Sequence, residues 1–138
     1  MSGISLTTAA EIQEKLLKGP FHQWLGLEVI SVTEGEITLK AHFRDEWVVN
    51  PAGGYIHGGI LAALVDLTAD WALFAWTGKG VPTLDLRVDY HRPAKGDLIA
   101  EGKVIKSGKQ FSSAEARIFD SEGRLVASGR GLYSTATV

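Results

Sequence analysis

Apolar and polar residues alternate in several short runs along this chain, and one long apolar run occupies its middle. In residues 36–43, Ile37, Leu39, Ala41 and Phe43 alternate with Glu36, Thr38, Lys40 and His42. A period of two places one strand face in a core and the other in water. With the preceding run "FHQWLGLEVISV", it predicts a hairpin that turns at Glu34-Gly35. Four further strands are predicted over 83–90, 97–106, 111–119 and 125–133, separated by "RPAKGD", "KSGKQ" and "DSEGR". These separators carry the Gly, Pro, Ser and Asp of tight connections, so consecutive strands are expected to pair as an antiparallel meander. Near the start, Thr7 or Thr8 can cap a peripheral helix within residues 1–20 that runs to about Lys18. Glu11 completes a capping box after Thr8, and Gly19-Pro20 ends the helix.

The long apolar run, 58–76, predicts a helix. A six-stranded antiparallel sheet has one apolar face to cover, and only this helix is long and apolar enough to cover it. About nineteen helical residues at 1.5 Å rise reach roughly 28 Å, comparable to six strands about 4.8 Å apart. The expected fold is therefore α+β: a six-stranded antiparallel sheet wrapped around one long central helix. At 138 residues the chain is expected to form a single domain over 1–138.

Composition narrows the function classes. A net charge of −2 lacks the basic excess of nucleic-acid binding, so no nucleic-acid partner is expected. The absence of cysteine excludes a disulfide framework, a thiolate metal site and a cysteine nucleophile, and fits a cytoplasmic protein. The N-terminus lacks the apolar core of a signal peptide. Asp66 and Asp70 interrupt the apolar run, which reads as a buried helix rather than a membrane span, so no membrane partner is expected.

Chemistry concentrates in "GGYIHGGILAALVDLTADWALFAW", residues 53–76. Gly58 and Gly59 stand where the helix starts, and a helix start presents free N–H groups with partial positive charge. They form either an oxyanion site for a polarised carbonyl or only a tight entry turn. Asp66 and Asp70, four apart, share one helical face, where two ionised carboxylates need compensation. Asp70 is expected to cap or salt-bridge a strand residue such as Arg87. Asp66, between Val65 and Leu67, suits a general base or a nucleophile. His57 suits general-base chemistry or, more simply, packing in its own turn. The remaining histidines form no metal signature, and nucleophile-elbow, Walker and dinucleotide fingerprints are missing.

The stretches "NPAGGYIHGGILAALVD" and "TLDLRVDYHRPAKGD", with the late glycine-punctuated strands, resemble the hotdog-fold acyl-CoA thioesterases of the phenylacetyl-CoA thioesterase type over residues 22–135. The resemblance implies the hotdog fold, assembly into homodimers and often homotetramers, and hydrolysis of acyl-CoA to a free acid and coenzyme A without a metal or other cofactor. By position, Asp66 matches the acid that activates water or attacks the thioester, and Gly58 matches the glycine whose amide polarises the carbonyl. Asn50 matches a residue that places water or substrate, and Thr83 a hydroxyl that orients the water. Asn50 lies seven residues before His57 where relatives usually place asparagine six before, which singles out this position as a departure. His57 and Gly59 complete the expected substrate contacts at the helix start. Arg92 and Lys95 in "HRPAKGD", with Lys106 and Lys109 in "IKSGKQ", are the expected contacts of the coenzyme A phosphates. Trp47, Tyr55, Trp71 or Phe74 are candidates for the acyl pocket.

Helical spacing adds one geometric expectation. Gly58 and Asp66 are about 12 Å apart along one helix, and the free amides point away from Asp66. A site needing both would take Gly58 from one subunit and Asp66 from another. The alternatives are a hotdog acyl-thioester dehydratase or hydratase using His57 with Asp66, and a non-catalytic acyl-CoA binding module.

Overall fold

The computed structural model describes residues 8–136. The elements follow the order α1 (Ala9–Leu16), α2 (Pro20–Trp24), β1 (Leu27–Thr33), β2 (Glu36–Ala41), a 3-10 turn (Asp45–Trp47), α3 (Gly58–Thr77), β3 (Thr83–Tyr90), β4 (Leu98–Lys106), β5 (Phe111–Phe119) and β6 (Leu125–Ser134). Thr8 caps α1, its Oγ1 accepting from the Glu11 amide at 3.2 Å. Thr7, the other expected cap, lies outside the described residues. The helix closes at Leu16, short of Lys18, and buries Ile12 and Leu16. "PFHQW", read as the approach to the first strand, is instead a second short helix, because Pro20 at its first position is pre-set for helical φ.

All six strands form one antiparallel sheet in the order β1-β2-β4-β5-β6-β3. The expected meander holds for β4-β5-β6 but not for β3 and β4. β3 pairs with β6 at the sheet edge, and β4 pairs with β2. Residues 91–97 are not a tight turn. An extended chain of that length reaches roughly 23 Å, enough to cross the three strand spacings of about 4.8 Å that separate β3 from β4.

α3 lies in the curl of the sheet with Leu61, Leu64, Val65, Leu73 and their neighbours buried. Each fully buried leucine stabilises this seat by about 2 kcal/mol. Its length and hydropathy would suit a membrane span, but here they serve a core helix. The seat is shaped by small side chains. Register places Gly102 opposite Ala116, and Ala116 opposite Gly129, so three adjacent central strands present little or no side chain along one row. A Cβ on Gly102 would come within 2.5 Å of the Thr68 carbonyl, and one on Gly129 would overlap the Arg87 carbonyl and crowd Val65. The helix therefore approaches to backbone contact. Gly102→Ala is expected to lower unfolding free energy by about 2 kcal/mol or more, measured by denaturant titration, because backbone rather than a mobile side chain must give way.

Candidate active site

The loop leading to α3 is pinned from both sides. The Asn50 carbonyl accepts from the amides of Gly53 and Gly54, and Gly54 adopts φ 71°, which lets the loop turn back. The Ile56 amide then donates to Ala94 and the His57 amide to Trp47. His57 is the N-cap: its Nδ1 accepts from the Gly59 amide at 2.7 Å. That bond fixes the ring with Nδ1 unprotonated and removes Gly59 from the available donors. The Gly58 amide donates to no protein atom among the described residues. It stands at the positive end of a twenty-residue helix. Tyr90 crosses this end, donating to the Gly58 carbonyl at 2.9 Å.

Two turns further on, Asp66 is half-buried on the flank of α3. Thr83, the first residue of β3, donates to its Oδ1 at 2.7 Å. The Tyr133 hydroxyl lies 3.1 Å from the same Oδ1 and 3.0 Å from the Asp66 carbonyl. No described residue donates to Oδ2. Asp70, one turn on, does not pair with Arg87. Arg87 points to the outer face of β3 and reaches Asp89 at 3.4 Å. Burial, then the nearby Asp66 charge, pushes the Asp70 carboxyl up to about 7, against the pull of the Val81 amide.

The structure thus brings Asp66 and Thr83 together, and gathers His57, Gly58 and Gly59 at the helix start. Asn50 stands in the loop before α3. Asn50 is exposed, and its Oδ1 accepts from the Ala52 amide at 3.0 Å within its own turn. Arg92 and Lys95 border a surface cavity of about 330 Å³ with Tyr55, Pro93 and Arg124. Lys95 lies 4.7 Å over the Tyr55 ring. Lys106 and Lys109 stand at the other end of β4, a nine-residue strand. Trp71 packs against Phe74 and His22, while Trp47 is buried under the loop. Among the described residues no cluster of three His, Cys, Asp or Glu could hold a metal. Tyr133 and Tyr90 were not read from the sequence as site residues. The available signal was Gly131, which faces the same side as Tyr133 two residues on and leaves room for its ring.

The raised Asp70 makes a stability prediction. Between about pH 4 and pH 7 the folded chain holds a proton on Asp70 that the unfolded chain releases, so stability falls as pH rises through that window. The full shift corresponds to roughly 4 kcal/mol, and partial exposure lowers this to about 2 kcal/mol. Asp70→Asn, which mimics the protonated acid, is expected to melt higher than wild type at pH 8 and together with it at pH 4. Equal melting temperatures at pH 8 would contradict the burial of this carboxyl.

Comparison with known proteins bears on the family and the fold. The family model described as "Thioesterase superfamily" matches residues 53–127, the stretch from the loop before α3 into β6. A crystal structure of a thioesterase-superfamily protein shares 46% identity, covers 91% of this chain and 96% of its own, and superposes with a TM-score of 0.88. Zebra fish thioesterase superfamily member 2 has a TM-score of 0.80 at 26% identity, covering 94% of this chain and 99% of its own. Human acyl-coenzyme A thioesterase 13 is 30% identical over 116 residues, 80% of this chain and 81% of its own length. A half-buried acid beside a strand hydroxyl, one long helix in a curled sheet, and these matches converge: the chain belongs to the thioesterase superfamily, with its hotdog fold, and is a thioester hydrolase.

Proposed function

We propose that the substrate is an acyl-CoA and that each active site is shared between two subunits of a homodimer. The observation that carries this reading is the Asp66 carboxylate, with Oδ1 anchored by Thr83 and Oδ2 without a donor among the described residues, on a half-exposed flank of the core helix. A carboxylate so placed has no packing value and suits a base. The thioester carbonyl sits against the Gly58 amide, where the helix end stabilises developing negative charge. Water attacks the carbonyl carbon as its proton passes to Asp66. Thr83, whose own proton goes to Oδ1, keeps oxygen lone pairs that accept from that water. Collapse of the tetrahedral intermediate breaks the C–S bond, and the departing thiolate takes the proton back.

Two subunits are required because Gly58 and Asp66 lie eight residues apart on one helix, about 12 Å along its axis, while attack needs about 3 to 3.5 Å. An antiparallel partner helix brings its own acid to this helix start. β3 supports the arrangement: its outer edge has no strand partner among the described residues, and Leu84 and Tyr90 are exposed on it. Two such edges pairing about a two-fold axis would continue the sheet and remove an exposed edge. Further pairing into a homotetramer belongs to the same proposal.

Arg92 and Lys95, beside Tyr55, are the proposed contacts of the coenzyme A phosphates. Lys106 and Lys109 are roughly 27 Å or more away along β4, so only one of the two pairs of cations can grip a given phosphate within one subunit. His57 fits its capping role better than a dehydratase base, since Nδ1 is already engaged. Human acyl-coenzyme A thioesterase 13 bears a name that matches the proposed substrate class. Phenylacetyl-CoA, the substrate implied by the resemblance, is one arm of the test beside short and long acyl-CoAs.

Asp66→Asn is expected to lower thiol release by two or more orders of magnitude with the fold intact. Gly58→Pro provides a second test. Proline is well tolerated at the first helical position, and His57 already has the extended ψ of 134° that a following proline favours. It removes the N–H and adds a ring whose Cβ would lie 3.3 Å from the Tyr90 ring, and turnover should drop roughly 100- to 1000-fold. Tight binding of acyl-CoAs without thiol release by the wild-type chain would make it a binding module instead.

A further inference from the structure

We propose that Tyr133 is a positioning residue for the hydrolysis: with Thr83 it holds Oδ1 of Asp66, so that Oδ2 is the oxygen that takes the proton from water. This inference rests on the reading of Asp66 as the base.

Thr83 and Tyr133 are direct cross-strand partners on β3 and β6. Their hydroxyls reach one carboxylate oxygen at 2.7 Å and 3.1 Å. The terminal torsion of an aspartate is broad, so a single donor leaves the carboxylate free to swing. With Thr83 donating to Oδ1 and Tyr133 sharing its one proton between Oδ1 and the Asp66 carbonyl, contacts from two strands restrict that freedom, and no described residue donates to the second oxygen. The Tyr133 ring is fully buried in the core. An apolar residue would fill that space without bringing a hydroxyl that needs a partner. The hydroxyl also remains a donor across the working pH range, because burial and the charges of Asp66 and Asp70 push its ionisation upward.

The strand is built around this ring. A Cβ on Gly131 would overlap both the hydroxyl and the ring of Tyr133. Glycine there lets the tyrosine lie back along its own strand toward α3. The tyrosine and its glycine thus form one device, which packing alone does not require.

Tyr133→Phe keeps the ring and removes only the donor. The expected result in a thiol-release assay is a fall in kcat on the order of tenfold with KM unchanged. A donor to a carboxylate favours its charged form, so the acid limb of the pH–rate profile should move to higher pH. A purely structural tyrosine would lower the melting temperature and leave that limb in place. Gly131→Ala tests the same contact by displacing the hydroxyl while keeping the tyrosine, and the same limb movement is expected. A carbon-13 NMR titration of the aspartate carboxyls in wild type and Tyr133→Phe gives a readout without substrate, in which one midpoint should rise. If wild type releases thiol and Tyr133→Phe leaves kcat, acid limb and titration unchanged, the role of Tyr133 is overturned and the hydrolase reading stands. If wild type releases no thiol from any acyl-CoA, the acyl-CoA reading fails, and the titration still decides whether the hydroxyl holds Oδ1.

Discussion

The seat of α3 in the sheet is the constraint from which the rest of the molecule follows. Where Thr68 and Val65 pass over the central strands, Gly102 and Gly129 present no side chain, and the helix rests at backbone contact. A helix held that close cannot rotate or slide by a residue without driving a carbonyl or a methyl into the sheet. Its rotation decides which side chains are buried and which flank stays open. Leu61, Leu64, Val65 and Leu73 go into the core, while Asp66 emerges toward β3 and β6. A carboxylate near the middle of an apolar helix is thereby brought to two hydroxyls and to no cation among the described residues.

The two acids illustrate how position decides role. They lie one turn apart, yet Asp66 gains donors from Thr83 and Tyr133 while Asp70 meets burial and the charge of its neighbour. Near neutral pH, a proton on Asp70 reduces the repulsion that two carboxylates at this spacing would otherwise suffer. The helix start works by a different means. His57 consumes one of the first amides for its own cap, which leaves the Gly58 amide as the donor aimed outward.

Much of this was legible in the chain. The strand patterns placed four of the six strands to within a residue, the alternation over 36–43 ran two residues past the end of β2 at Ala41, and the apolar run placed the helix, because burial on one face leaves a regular trace. The acid at Asp66, the helix-start glycine and the strand hydroxyl at Thr83 were readable as residue types that chemistry needs. What remained hidden depends on pairing between distant segments. "RPAKGD" has the composition of a turn, and only the place of β3 beside β6 shows it to be a crossing. Arg87 looked like a partner for Asp70 until strand register turned it to the outer face toward Asp89. Tyr133 read as an ordinary strand aromatic, since the contact that gives it meaning spans 67 positions.

The central claim is that amide and acid come from different subunits, and mixed dimers test it most directly. Asp66→Asn and Gly58→Pro subunits, each inactive alone, are co-refolded in equal amounts and assayed for thiol release. In a mixed dimer one site takes an intact Gly58 from the first subunit and an intact Asp66 from the second. Random mixing makes about half of the dimers mixed, so activity should recover to roughly a quarter of wild type. No recovery despite verified mixed dimers would place both groups in one subunit and contradict the account.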